Sequence, residues 1–226
     1  MLSVLLQAAE AVEVTEQQVA ELNLFDMALK GGVIMIPLLI LCLLAVYIFF
    51  ERLVVIKHAS QKDPSFMEKI KDYIQDGKIE AALDLCQNTN TPYSRMIAKG
   101  ISRLGRPMND VQVAIENVGN LEISKLERGL SLLATIAGGG PMIGFLGTVI
   151  GMIEAFFNMA NAGSNIDVTI LAGGIYTAMV TTVAGLIVGV IAYFAYNYLI
   201  SRVDKVVGDM ESRSLEFMDI LNEPAN

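Results

Sequence analysis

The chain has 226 residues, 54% of them hydrophobic and only 18% charged, with a mean hydropathy of +0.52 and a formal net charge of −8. A soluble domain carries about 25% charged residues, so that class is excluded, and the hydrophobicity excludes a disordered chain. Sixteen basic against twenty-four acidic residues give no overall basic field for nucleic acid, and Cys42 and Cys86 alone make neither a disulfide framework nor a cysteine metal site.

Residues 1–30 form a predicted outer segment with five acids and one base, Lys30. Met1 to Leu29 lacks the basic stretch of a secretory signal. Its alternating acids and aliphatics suit an amphipathic helix lying on a membrane. Residues 31–53 are the first predicted span, built on Val33 to Phe50, eighteen residues without a charge. That run approaches the ~20 residues that cross ~30 Å of hydrocarbon, and Pro37 stands near its start, where a helix tolerates proline. Glu51 and Arg52 close it and read as an interfacial anchor pair. His58, the single histidine, reads as a headgroup-level surface residue.

Residues 54–130 are a predicted helical domain. Phe66, Ile70, Tyr73 and Ile74 recur at helical spacing, as do Ile79, Leu83 and Cys86 after Gly77. Ser94 to Arg103 and Val111 to Leu132 read as further helices, separated by Gly105 and Pro107. The last of these is expected to run unbroken into the second span, residues 131–160. A short link, 161–167, leads to a third span, 168–200, which carries no charge, and to a C-terminal helix, 201–226. At ~1.5 Å per residue the third run exceeds the bilayer, so it tilts or projects into solvent. Eleven bases lie between Lys57 and Arg128, none in 161–167, and three after Ile200. The positive-inside rule therefore sets the N-terminus outside, the helical domain and C-terminus inside, and the link outside. The fold class expected is an all-α integral membrane protein with three transmembrane helices, a helical cytoplasmic domain and long helices reaching into the cytoplasm.

In the second span, Gly140, Gly144, Gly147, Thr148, Gly151, Ala155 and Asn158 share one helical face. Gly140/Gly144 and Gly147/Gly151 have the GxxxG spacing that lets membrane helices approach closely; simple packing is the plainest use of it. In the third span, Ala178, Thr182, Gly185 and Gly189 form one stripe, and Thr177, Thr181 and Ala184 a neighbouring one. Thr181 and Thr182 point ~100° apart on an ideal helix and are not expected to face the same partner group. A membrane threonine commonly bonds its own i−4 carbonyl. Counted from the short link, Thr148 and Thr182 lie at similar depth, ~18–21 Å in, so two hydroxyls could share a mid-membrane layer. Glu154 is the one ionisable residue well inside the last two spans. It suits either an interfacial position or an ion path. No P-loop, HExxH or serine elbow occurs, so no enzyme site, metal site or cofactor is expected.

Gly144-Phe145-Leu146-Gly147-Thr148-Val149-Ile150-Gly151-Met152 resembles the second-span motif of the MotA/TolQ/ExbB proton-channel family. Gly174-Ile175 followed by Thr182, Gly185 and Leu186 resembles its third-span motif. Glu51-Arg52-Leu53 is similar to the ending of the first span in the ExbB branch, and three spans resemble ExbB or TolQ more than the four-span MotA. The resemblance implies a homopentamer in the bacterial inner membrane. Its pore would hold the single-span helices of an ExbD- or TolR-like partner, whose aspartate takes up and releases protons. The resulting motion would energise a TonB-like protein and outer-membrane transport, or serve a TolQ-like or gliding-motor stator. A non-conducting scaffold is the alternative from another class. Thr148 and Thr182 match the family's pore-facing hydroxyls; Thr177, Thr181 and Glu154 are further candidates for the proton path. Gly140, Gly144, Gly147, Gly151, Gly185 and Gly189 are the candidates for helix packing. The chain departs from many relatives at Thr177, where a glutamate is common.

Overall fold

The computed structural model describes residues 31–61, 63–161 and 168–222. Within them the regular structure is helical: α1 (Met35–Ala59), α2 (Phe66–Gln75), α3 (Ile79–Thr89), α4 (Pro92–Ile101), α5 (Met108–Glu127), α6 (Leu130–Asn161) and α7 (Val168–Asn222). Three helical stretches are long and apolar enough to cross a membrane, one being α1, one lying in α7, and one covering α5 and α6. In the last, the apolar part is α6, since α5 carries Asp110, Glu116, Glu122, Lys125 and Glu127. The expected amphipathic N-terminal helix and the link 162–167 lie outside the described residues.

The chain divides into two compact units. The described residues of the first are 31–39, 141–161 and 168–186; those of the second are 40–61, 63–140 and 187–222.

The first unit is built on small residues. The second has a conventional core. Phe66 and Ile70 of α2, Ile97 and Ile101 of α4, Ile115 of α5 and Phe217 of α7 are all buried. They follow the helical periodicity that marks one apolar face per helix. α4 packs against α3 and α5. Its start is locally encoded: Pro92 takes the first helical position, where its missing N–H costs nothing. Thr91 and Ser94 form a reciprocal capping box, the Ser94 hydroxyl accepting the Thr91 N–H at 3.0 Å and donating to the Thr91 carbonyl at 3.0 Å. Both side chains are buried, so their polar atoms are satisfied within the box.

The expected continuous helix from Val111 into the second span does not form. α5 ends at Glu127 and α6 begins at Leu130, with Gly129 between them at φ +83°. That left-handed conformation is open to glycine and strained for other residues. The break leaves carbonyls at the end of α5 without helical donors. Arg52 of α1 supplies one: its Nη1 donates to the Lys125 carbonyl at 3.2 Å, while Nη2 donates to Glu51 Oε1 at 2.6 Å. Arg52 is 9% exposed. Beyond the interfacial anchor pair expected of Glu51 and Arg52, it is thus a buried helix-end clamp, and Glu51 holds its fork in place. His58 is exposed, as expected. α6 continues through Gly138-Gly139-Gly140-Pro141, although Pro141 offers no N–H to the carbonyl of Ala137.

Candidate functional site

In the first unit, α6 and α7 run antiparallel with main chain nearly against main chain. A Cβ built on Gly144 would lie 2.8 Å from the Thr181 carbonyl oxygen and 3.0 Å from the Gly185 Cα. On Gly151 it would meet the Ala178 Cβ at 3.0 Å, and on Gly174 the Ala155 Cβ at 2.5 Å. On Gly147 it would overlap the Thr181 hydroxyl. Gly144, Gly147, Gly151 and Ala155 of α6 thus meet Gly185, Thr181, Ala178 and Gly174 of α7 in descending register. This is the close approach that small residues permit where lipid supplies no hydrophobic drive. Gly140 and Gly189, which belong to the second unit, are also buried. Gly174 acts in the seam as strongly as the glycines singled out from GxxxG spacing; continuing the Ala178 stripe one turn along α7 would have found it.

The hydroxyls of two adjacent threonines converge on this seam. Thr182 Oγ1 donates to the Gly144 carbonyl at 3.1 Å. Thr181 Oγ1 donates to its own-helix Ala178 carbonyl at 2.7 Å and lies 3.4 Å from the same Gly144 oxygen. The expectation that Thr181 and Thr182 could not face one partner is therefore wrong. The glycines bring α6 so close that its carbonyl fits between the two side-chain directions. Thr181 is 1% exposed and Thr182 half-buried.

Thr148 lies off this seam. It follows Gly147, the neighbour of Thr181, so the three hydroxyls belong to one level of the helix pair. Its Oγ1 donates to the Phe145 carbonyl at 2.5 Å, a local i−3 bond, and the residue is half-buried. Thr177 is half-buried one turn along α7. Glu154 is exposed on α6, beyond Gly151, and is not brought to the threonines. Among the described residues of α6 and α7, none at this level carries an ionisable side chain. What it offers is hydroxyl oxygens whose protons are committed to carbonyls and whose lone pairs remain as acceptors. Around it the helices present large apolar side chains outward, among them Met142, Phe145 and Phe157 of α6 and Met179 of α7, each more than 60% exposed. Such a surface needs lipid or other helices to cover it.

One polar cluster of the second unit escaped the sequence reading. Glu122 of α5 is 3% exposed and accepts from Arg95 of α4 at 2.6 Å and from Lys125 at 2.7 Å. Arg95 also donates to the carbonyl and side chain of Asn90, at 3.0 and 2.8 Å. Burial alone would raise the Glu122 pKa, but the hydrogen bonds and charges of Arg95 and Lys125 outweigh it and hold the carboxyl below its ordinary value. The spacing of Glu122 and Lys125 was visible as an i,i+3 pair. That Arg95 would join from another helix was not. Among the described residues no group of three or more histidine, cysteine, aspartate or glutamate side chains could hold a metal.

Comparison with known proteins covers most of the chain. The family described as the MotA/TolQ/ExbB proton channel family matches residues 88–212, which include the α6/α7 seam. The putative biopolymer transport protein ExbB homolog of Methanothermobacter thermautotrophicus is 30% identical over 191 residues, 84% of this chain and 67% of that protein. The putative biopolymer transport protein ExbB-like 1 of Synechocystis is 30% identical over 181 residues, 79% of this chain and 71% of that protein. The Tol-Pal system protein TolQ of Haemophilus influenzae is 28% identical over 221 residues, 91% of this chain and 96% of that protein.

Proposed function

Because the chain belongs to the MotA/TolQ/ExbB proton channel family, we propose that it is the pore-forming subunit of a proton-driven motor in the bacterial inner membrane. Its N-terminus lies in the periplasm and its C-terminus in the cytoplasm. Copies of the chain, five in the family's pattern, surround the single-span helices of an ExbD- or TolR-like partner. Proton flow through that assembly becomes motion that energises a TonB-like protein and, through it, transport across the outer membrane.

The observation that carries this reading is the threonine level of the α6/α7 seam. A threonine hydroxyl does not titrate near neutral pH, so Thr148, Thr181 and Thr182 cannot carry protons by ionising. They can orient water or accept a hydrogen bond from a protonated carboxyl of another chain. A proton carrier at that depth has to come from the partner. Thr177, one turn towards the link on α7, extends the candidate path, with Glu154 as an exposed group nearer the link, and the glycines Gly144, Gly147, Gly151 and Gly185 hold the two helices at the distance the level needs.

Proton flux into liposomes tests the proposal. The chain alone should conduct little, and the chain with its partner should conduct strongly. Robust flux without a partner would overturn it, and no flux with the partner would leave a non-conducting scaffold. A TolQ-like role in the cell envelope is the second reading, supported by the nearly end-to-end alignment with a TolQ. Which single-span protein co-purifies, one working with TonB or one working with a Pal-like lipoprotein, separates the two roles.

A further inference from the structure

In the second unit, a cavity of about 490 Å³ opens between α1 and α7 where both helices leave their charge-free runs. Its floor includes Leu53, Ile56 and Leu199, and Lys57, Arg202 and Lys205 line it without any acid among the lining residues. Ser60 and Gln61 add uncharged donors. Arg202 is already oriented: its Nη2 and Nε donate to the Tyr198 hydroxyl at 3.0 and 3.3 Å, and its guanidinium carbon lies 5.2 Å from the centre of that ring. Lys57 and Lys205 have no acidic partner among the described residues. Three cations facing one cavity repel each other unless an anion sits among them.

A second groove, of about 420 Å³, adjoins the first on the same two helices. Phe49, Phe50, Val190, Ile191 and Phe194 line it, and no charged residue does. Tyr198 belongs to both cavities, and its ring centre is 6.2 Å from that of Phe49. The groove lies within the charge-free runs that end at Phe50 and Ile200, whereas the three bases follow those ends. A basic chamber at the end of the apolar run, sharing Tyr198 with a charge-free groove inside that run, has the polarity of one phospholipid molecule.

We propose that these two cavities form a binding site for an anionic phospholipid of the inner leaflet. Its phosphate sits among Lys57, Arg202 and Lys205, and an acyl chain lies in the groove beside Phe49 and Phe194. Arg202 supplies a planar fork for two phosphate oxygens, and the lysines act as point charges. The assignment rests on the proposed membrane placement, but not on proton conduction. The apolar groove is what distinguishes a lipid from a free phosphate, which would use the basic chamber alone.

The test uses the full chain, stripped of lipid in detergent and titrated with phosphatidylglycerol, phosphatidylcholine or inorganic phosphate while bound lipid is counted by native mass spectrometry. Phosphatidylglycerol should bind at least tenfold more tightly than phosphatidylcholine, and inorganic phosphate should not displace it. The triple variant Lys57→Gln/Arg202→Gln/Lys205→Gln should lose that preference, each base contributing about fivefold. The variant Lys99→Gln/Arg103→Gln/Arg106→Gln, with the same charge removed elsewhere, should keep it. Equal affinity for the two lipids, or full displacement by inorganic phosphate, overturns the site, and the parent chain alone decides both. An unchanged preference in the first triple variant also overturns it. Membrane integration of that variant is read separately by carbonate extraction, so failure of the lipid site is distinct from failure of the membrane placement.

Discussion

The hydroxyl of Thr182 donates to the main-chain carbonyl of Gly144 at 3.1 Å, across two helices whose backbones are close enough for a side chain to reach the opposing main chain. The bond exists because position 144 has no Cβ: one placed there would lie 2.8 Å from the Thr181 oxygen. The Gly185 Cα at 3.0 Å and the Thr182 Cα at 3.2 Å are main-chain atoms like that oxygen, so Gly144→Ala must push α6 and α7 apart. Overpacking of this kind costs about 1–3 kcal/mol. A Cβ at Gly138, on the same helix, would meet nothing within 4 Å. Gly138→Ala should therefore stabilise by about 0.5–1 kcal/mol, the usual difference between the two residues inside a helix. Thermal unfolding in detergent should move in opposite directions for the two variants.

Thr148 and Thr182 can be separated by what each hydroxyl holds. Thr182 closes an interhelical bond, so Thr182→Ala should lower stability by about 0.5–1.5 kcal/mol as well as impair energised function. Thr148 bonds only the Phe145 carbonyl of its own helix. Thr148→Ala should leave the unfolding temperature of the complex within a degree or two of the parent and still reduce proton flux, while Thr148→Ser restores it. Normal flux in both alanine variants would reduce the threonine level to packing.

Much of this arrangement was legible in the residues, for physical reasons that also explain what was not. The three apolar runs were visible because the hydrocarbon core demands about twenty uncharged residues in succession, and α1, α6 and α7 contain them. The amphipathic helices α2 to α4 were visible because each shows one buried face at a 3.6-residue period. The break at Gly129 was not legible because an apolar run begins directly after it and no proline follows closely; only its φ of +83° reveals that glycine acts as a helix stop there. The shared carbonyl of Thr181 and Thr182 was missed because an ideal helical wheel assigns directions without knowing how close the next backbone comes. The second contact of Arg52 was not legible for a related reason. Its partner, the Lys125 carbonyl, is seventy-three positions away and becomes an acceptor only because α5 ends.

Glu122 gives the fold a pH dependence with a definite sign. Its folded pKa lies below the ordinary glutamate value of 4.5, because the donors Arg95 and Lys125 outweigh its burial. The stabilisation is complete above that ordinary value and is lost as pH falls through the lower folded one. Glu122→Gln should unfold earlier than the parent at pH 7, by about 1–3 kcal/mol for the lost charged hydrogen bonds. The gap should narrow as the pH is lowered below that ordinary value and through the folded one. A gap that stays constant across that range would mean that charge on Glu122 contributes nothing.

Cys86 is 1% exposed, and burial pushes its thiol up to about 12. At pH 8 the thiolate, the reactive form, is then about one part in ten thousand. In a Cys42→Ser background, where Cys86 is the single thiol, a disulfide reagent should label the native protein hundreds of times more slowly than the same protein unfolded in denaturant. Labelling should track opening of the α3 region rather than the pH-dependent chemistry of an accessible thiol. Fast labelling of the folded chain would show that this face of α3 is exposed.

Arg52 joins the end of the first apolar run to the end of α5, and the joint depends on the shape of its side chain. One branch of the guanidinium reaches the Lys125 carbonyl while the other holds Glu51. A lysine has one nitrogen and cannot occupy both positions with the same planar geometry. Arg52→Lys should therefore keep the charge yet free the last turn of α5, and Arg52→Gln should do so more completely. Hydrogen exchange at the amides from Glu122 to Leu130 should rise several-fold in both variants, with exchange in α2 and α3 unchanged. Parent-like protection of that segment in Arg52→Lys would mean that the charge alone, and not the fork, secures the end of α5.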